Sequence, residues 1–186
     1  AHYPVTKYAT AYKVGSSVQK NARPHVKKEK ILKLDIEGFF DNIIYSKVKD
    51  IVFYEEKYSE PIRILLTMLC YYRESLPQGA PTSPAITNII MYEFDERIGA
   101  YCSERGIAYT RYCDDMTFSG EFDEKEIITL VKKELRKLGL FLKNRKTAVI
   151  NSTKRQIVTG IVVNEKVNLT KEYKKKIRQE VYYIKR

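Results

Sequence analysis

Two short alternating segments, 107–113 and 116–119, are joined by a tight connection that contains Asp114-Asp115, and this hairpin signature constrains the chain more than any other feature. A hairpin needs further strands or helices to lie on. Ile31-Leu32-Lys33-Leu34-Asp35-Ile36 alternates in its middle, is bounded by charges, and reads as a core strand ending at Asp35 or just beyond. Helical spacing fills the interval. Ser46 is placed to cap a helix running to about Tyr54, and a second helix starts at Glu60 with Ile62, Leu65, Leu66, Leu69 and Cys70 on one face. The proline-rich stretch 76–84 is a loop that ends in Ser83-Pro84, a cap and first-turn pair. One long helix follows, with Ile86, Ile89, Ile90, Phe94 and Ile98 on its buried side and Gly106 as its stop.

Beyond the hairpin, Asp123 with Glu126 forms a variant capping box that opens a helix with Ile127, Leu130, Val131, Leu135 and Leu138 on one face, ended by Gly139. Strands are predicted at 140–142, 148–150, 156–163 and 167–169, after which Thr170 caps a very basic helix that runs to Arg186. Residues 1–28 read as irregular, with one short helix near 16–22. With no internal repeat and no linker, the pattern is a single α+β unit with interleaved strands and helices.

Composition agrees with a folded chain. Of 186 residues 44% are hydrophobic, and 15 Tyr and 7 Phe against 8 Gly and 6 Pro exclude a disordered or collagen-like sequence. Cys70, Cys102 and Cys113 show neither a paired motif nor His partners at ligand spacing, which points to a reducing compartment rather than a disulfide or zinc scaffold. No apolar run approaches the roughly 20 residues that span a bilayer, and Ala1-His2-Tyr3-Pro4 lacks a signal-peptide signature. The expectation is a cytoplasmic protein with no membrane partner.

The net charge of +11 is unevenly spread. Residues 1–33 hold eight Lys/Arg against one Glu, residues 143–186 hold thirteen against three, and the middle holds thirteen against nineteen. Basic ends around an acidic middle suit flanks that grip polyphosphate and a central carboxylate cluster that holds divalent cations. Two solvated faces give the same pattern.

Asp35 at a strand end and Asp114-Asp115 in a turn are each ordinary alone, since Asp is favoured in turns and caps. Two antiparallel strands that bring them together make a site for a pair of Mg²⁺ ions, with Mn²⁺ as a substitute. Such ions take oxygen ligands and keep positions open for phosphates. Two metals about 4 Å apart activate an attacking hydroxyl and stabilise a leaving pyrophosphate, which is nucleotidyl transfer. Alternation makes the two turn carboxylates unequal; Asp114 is the expected principal ligand beside Asp35, with the carbonyl of Ile36 as a further oxygen.

These residues carry a resemblance. Leu34-Asp35-Ile36-Glu37-Gly38-Phe39-Phe40, the loop Gln78-Gly79-Ala80-Pro81-Thr82-Ser83-Pro84 and Tyr112-Cys113-Asp114-Asp115 are similar, in order and spacing, to the A, B and C motifs of reverse transcriptases. Gly139-Leu140 followed by Lys146-Thr147 resembles the D motif. Asn21-Ala22-Arg23-Pro24-His25 and Val158-Thr159-Gly160 resemble the N-A-x-x-H and V-T-G elements of bacterial retron enzymes. They favour a retron enzyme over relatives in group II introns, diversity-generating elements or CRISPR loci.

The resemblance implies a right-hand polymerase palm, an antiparallel sheet packed on helices, with partial fingers and a thumb absent or only begun. It divides the chain into partial fingers (1–30), the motif A strand of the palm (31–45), fingers helices (46–77), palm (78–167) and the start of a thumb (168–186). It implies an RNA-directed DNA polymerase using dNTPs, an RNA template and primer, and a structured cognate RNA, and making a DNA product branched from that RNA.

Several residues have two open readings. The resemblance gives Phe40 the role of packing beneath the incoming sugar and excluding a ribose 2′-hydroxyl; alternation makes one of Phe39 and Phe40 a core residue. Lys146 is either the proton donor to pyrophosphate or part of a solvated basic strand with Lys143 and Arg145. Gln78 and Gly79 let the backbone approach the template base or nucleotide, or form a plain turn. Arg23 and His25 touch phosphate, or His25 is a hydrogen-bonded structural residue. Cys113 stands where the family usually has Ala, and is expected to make the site oxidation-sensitive. The basic last helix is a duplex contact or an ordinary solvated face. A basic RNA-binding module that keeps the palm scaffold without chemistry is the rival from another class.

Overall fold

The computed structural model describes residues 3–184, so the expectations for Ala1-His2 and for the helix end at Arg186 fall outside it. Antiparallel pairing of β1 (Lys30–Asp35), β2 (Ala108–Tyr112), β3 (Asp115–Ser119) and β4 (Ala148–Asn151) builds a sheet in the order β2-β3-β1-β4. Asp35 stands opposite Asp115, Lys33 opposite Thr117 and Ile31 opposite Ser119, while Tyr112 of β2 meets Asp115 from the other side. Since side chains alternate, this register sorts the strands into two faces.

Leu32, Leu34, Met116, Phe118 and Tyr109 fall on one face and are buried in the main core. Over them lie α4 (Ser83–Ile90), α5 (Tyr92–Glu104) and α6 (Glu124–Lys137), through Ile86, Ile90, Phe94, Ile98, Ile127, Val131 and Leu135. The opposite face carries Ile31, Lys33, Asp35, Asp115, Thr117 and Ser119. Its Ile31 end is roofed by α1 (Val18–Ala22) and a small sheet, β5 (Ile157–Val158), β6 (Ile161–Val162) and β7 (Asn168–Leu169), around Ala22, Val158, Ile161 and Val163. Asp35 lies four residues further along β1, or about 13 Å at strand rise. The α+β palm architecture with its antiparallel sheet on helices is therefore as expected.

Local differences have physical causes. The helix expected to be capped by Ser46 begins two residues earlier: α2 (Tyr45–Lys47) has Ile44 at its cap, runs on as a wider π-type turn over Val48–Val52 and stops before Tyr54. The helix from Glu60, α3 (Glu60–Cys70), has the expected length but buries its polar side, Arg63 and Thr67. The predicted buried face is exposed at Ile62, Leu65 and Leu69. Ser83 does not cap α4; Thr82 holds that position, and the Ser83 hydroxyl donates to the carbonyl of Pro77, 2.8 Å away, closing the loop instead.

The long helix is two, interrupted at the fully buried Met91 with ψ near 0°. Met91 N–H still reaches the Thr87 carbonyl and Asp95 N–H that of Met91, so the axis carries through. Only half of the capping box on α6 forms: Asp123 accepts from the N–H of Lys125, while Glu126 takes the Tyr101 hydroxyl. The segment 140–142 makes a single bridge, Leu142 to Ile36, rather than a strand. The strand expected over 156–163 is a hairpin turning at Thr159-Gly160, both at positive φ, the type I′ pattern. The last helix, α7 (Lys171–Ile184), follows Thr170 as expected, and the Thr170 hydroxyl accepts from the N–H of Tyr173.

Candidate active site

Asp35, Asp114 and Asp115 fall at the same end of the sheet because of two backbone facts. The register places Asp35, the last residue of β1, across from Asp115, the first of β3. The connection from β2 is only Cys113-Asp114, and Cys113 alone takes a positive φ (59°), the type II′ pattern that suits strand twist. The Asp114 carbonyl accepts the N–H of Ile36 at 3.1 Å, stitching the turn to the residue after Asp35. Asp35 is buried, and Asp114 and Asp115 are half-buried.

A cation already faces them. The N–H of Lys143 donates to the Asp35 carbonyl at 2.8 Å, which brings in the 3₁₀ turn Asn144–Lys146, and Lys146 Nζ lies 2.5 Å from Asp35 Oδ2. That pair pushes the Lys146 ammonium above its ordinary value. Burial pushes the Asp115 carboxyl up; Lys33 opposes the shift, and Asp114 and Asp35 add to it. Crowded carboxylates that disfavour one another's charge create a demand for cations beyond these lysines. Among the described residues no three His, Cys, Asp or Glu side chains form a ready-made cage. The donors present are all oxygen, which fits hard divalent cations that complete their shells with water and phosphate.

Phe39 is the core member of its pair, and Phe40 is half-buried against it at 5.6 Å between ring centroids. The Phe40 carbonyl accepts the N–H of Leu76, tying the base of the 77–82 loop to the segment after Asp35. Gln78 and Gly79 are exposed in that loop, Gly79 at φ 92°, and among the described residues no hydrogen bond joins either to the carboxylates. His25 is not at the site. It is fully buried under the sheet, its ring nitrogens 2.7 Å from the Ser119 hydroxyl and 2.8 Å from that of Thr110.

Sequence reasoning passed over Arg111, Asp95 and Asn88. Arg111 is fully buried and forks onto Asp95 of α5, Asn88 of α4 and the carbonyl of Cys113. The available signal was its place between Tyr109 and Cys113 on the core-facing side of β2, where a guanidinium requires a buried anion.

A family model described as reverse transcriptase (RNA-dependent DNA polymerase) matches residues 3–163. The chain belongs to the reverse transcriptase family. Among its relatives, the retron Ec86 reverse transcriptase of Escherichia coli is 34% identical over 95% of this chain and 56% of its own length. The retron Mx65 reverse transcriptase of Myxococcus xanthus is 30% identical over 94% of this chain and 45% of its own length. The retron Ec83 reverse transcriptase of Escherichia coli is 31% identical, over 99% and 64%. The chain thus spans about half the length of the curated relatives it matches. Among solved structures, apo telomerase from Candida tropicalis superposes with a TM-score of 0.59 at 13% identity, covering 78% of this chain and 32% of that one. Telomerase from Candida albicans in complex with a fragment of telomeric RNA gives 0.58 at 11% identity, over 76% and 30%. At such identities the likeness is one of fold.

The two retron-like strings prove to be neighbours. Asn21 Nδ2 donates to the Thr159 hydroxyl at 2.6 Å, and Asn21 Oδ1 accepts the hydroxyl of Thr10. N-A-x-x-H and V-T-G are thus two sides of one contact, joined across 138 residues of sequence.

Proposed function

We propose that this chain is the catalytic part of a retron-type RNA-directed DNA polymerase, which adds dNTPs to a primer hydroxyl on an RNA template and acts in a reducing, cytoplasmic compartment. The observation that carries the reading is the register of Asp35 against Asp115 with Asp114 in the adjoining turn. Asp35, Asp114, Asp115 and the carbonyl of Ile36 are the oxygens assigned to two Mg²⁺ ions, for which Mn²⁺ substitutes. When bound, these ions supply activation of the primer hydroxyl and charge neutralisation on the departing pyrophosphate.

The chain's own residues do the rest. Lys146 is assigned the proton for pyrophosphate; the Asp35 pair keeps it protonated, so the proton is held as long as that pair lasts. Phe40 is assigned exclusion of a ribose 2′-hydroxyl, and its half-exposed ring supports this over a purely core role. Gln78 and Gly79 are assigned the approach to template base or nucleotide, supported by their exposure on a loop anchored beside Phe40. The partners in this reading are an RNA template and primer, the DNA product and a structured cognate RNA.

The test is primer extension on an RNA template with dNTPs and Mg²⁺, comparing the full-length protein with its Asp114→Asn variant. The variant is expected to keep its melting temperature and to lose about 100-fold or more in rate, the scale of removing one preorganised electrostatic group. Extension at the unaltered rate would overturn the role of Asp114. RNA binding without extension by the unaltered protein, with Mn²⁺ also tried, would favour a silent binding module. Product DNA lacking a covalent link to its cognate RNA would favour an intron- or CRISPR-type enzyme.

A further inference from the structure

The turn that carries Asp114 and Asp115 is held in a conformation that its own sequence disfavours. Cys113 sits at φ 59°, a left-handed region that disfavours a residue with a Cβ. Such a conformation persists only where the surroundings over-determine it. Here the determinant comes from the helix side of the sheet, opposite the carboxylates. Arg111 Nη1 donates to the Cys113 carbonyl at 2.9 Å. The rest of the guanidinium is locked: Nε lies 2.9 and 3.1 Å from the two Asp95 oxygens, and Nη2 lies 2.6 Å from Asp95 Oδ2 and 3.2 Å from Asn88 Oδ1. The Arg111 backbone is fixed as well, its N–H on the Tyr8 carbonyl and its own carbonyl on the N–H of Thr10.

Stability alone does not account for this arrangement. Both members of the Arg111–Asp95 pair are fully buried, and a buried ion pair is commonly matched or bettered by apolar residues of the same volume. What apolar residues lack is a directed donor at the Cys113 carbonyl. Tyr109 makes the contrast plain. Its hydroxyl also donates to Asp95, at 2.8 Å, but among the described residues it makes no hydrogen bond to the turn.

We propose that Arg111, oriented by Asp95 and Asn88, is a positioning residue for nucleotidyl transfer: it holds the Cys113-Asp114 turn so that Asp114 and Asp115 stand in register with Asp35. This rests on the polymerase reading above. A displacement of about 1 Å at reacting groups costs up to roughly 100-fold in rate, so Arg111→Lys, which keeps the buried cation and loses the fork, should lower the single-turnover rate of dNTP addition about 10- to 100-fold. The KM for dNTP and the affinity for RNA should stay unchanged. Tyr109→Phe, which removes a hydrogen bond from the same Asp95, should lower the melting temperature while leaving the single-turnover rate alone.

Two readouts on the full-length protein do not depend on polymerisation. Amide exchange at Ile36, whose N–H is held by the Asp114 carbonyl, should quicken in Arg111→Lys and not in Tyr109→Phe. Mn²⁺ titration followed by electron paramagnetic resonance should show weaker binding in Arg111→Lys only. Asn88→Ala, which frees one side of the guanidinium, carries the same comparison with a several-fold effect should Arg111→Lys fail to fold. If the unaltered protein does not extend a primer, the polymerase reading falls while the exchange and Mn²⁺ comparisons still decide the role of Arg111. Equal rates, equal Ile36 exchange and equal Mn²⁺ binding across the folded variants would overturn it.

Discussion

His25 shows how much one side chain's surroundings decide. With both ring nitrogens on hydroxyls and no exposure, it ties the 3₁₀ turn Arg23–His25 to β2 and β3 and leaves no nitrogen for phosphate. Burial pushes it down from 6.5 to about 3, with Lys28 adding to the shift. The unfolded chain takes up this proton below about pH 6.5 and the folded chain only near pH 3, so stability falls as pH drops through that window, by about 1.4 kcal/mol per unit. Melts between pH 7 and pH 4 should therefore show a shallower acid slope for His25→Gln than for the unaltered protein. Parallel slopes would mean that His25 protonates within the fold. Cys113 is read at the same scale: it is buried, and burial pushes its thiol up against the opposing Tyr12 hydroxyl, which works against the thiolate that oxidation sensitivity requires.

At the scale of elements, α3 is where pattern and packing part. Its apolar residues do fall on one helical face, but its inward side is anchored by Arg63, which donates to the Phe53 carbonyl, Glu60 and Asp50. These charge-assisted bonds to a carbonyl and two carboxylates join segments apart from the helix's own apolar stripe, and periodicity cannot report them. Leu65→Gln and Leu69→Gln should change the unfolding free energy by no more than about 0.5 kcal/mol in urea titrations, whereas Arg63→Ala should cost about 2 kcal/mol or more. A large loss from Leu69→Gln would show that this face is covered in solution. The helix α6 is the opposite case, since Ile127, Val131 and Leu135 are all buried as their spacing predicts. There the apolar stripe and the packing partners agree.

At the scale of the molecule, the basic ends divide: Lys33 and Lys146 act on the central carboxylates, and α7 exposes a further basic set. Lys171, Lys175, Lys176 and Arg178 of α7 are exposed, while Asp35, Asp114 and Asp115 gather at one end of the sheet. If α7 contacts a nucleic-acid backbone, Lys171→Gln with Lys175→Gln should weaken RNA binding and flatten the plot of log affinity against log salt by up to about 0.9 per lost duplex phosphate contact. An unchanged slope would make α7 an ordinary solvated helix.

What the sequence by itself determined is the kind of element at most positions, and the identity of the chemical groups. Strand alternation at 31–36, a tight hairpin connection at Asp114 and the stripe on α6 are local, because 2-residue and 3.6-residue periods are written in neighbouring residues. The exact turn was not, since the sequence placed it at Asp114-Asp115 and the structure turns at Cys113-Asp114, with Asp115 already in β3. Tertiary structure alone decided which residue faces which. The pairing of Asp35 with Asp115, the reach of Lys146 to Asp35 across 111 residues, the Asn21–Thr159 contact and the grip of Arg111 on the Cys113 carbonyl all join segments whose mutual placement depends on the whole core. The physical reason is that register follows the burial of both sheet faces at once. No single segment carries that information.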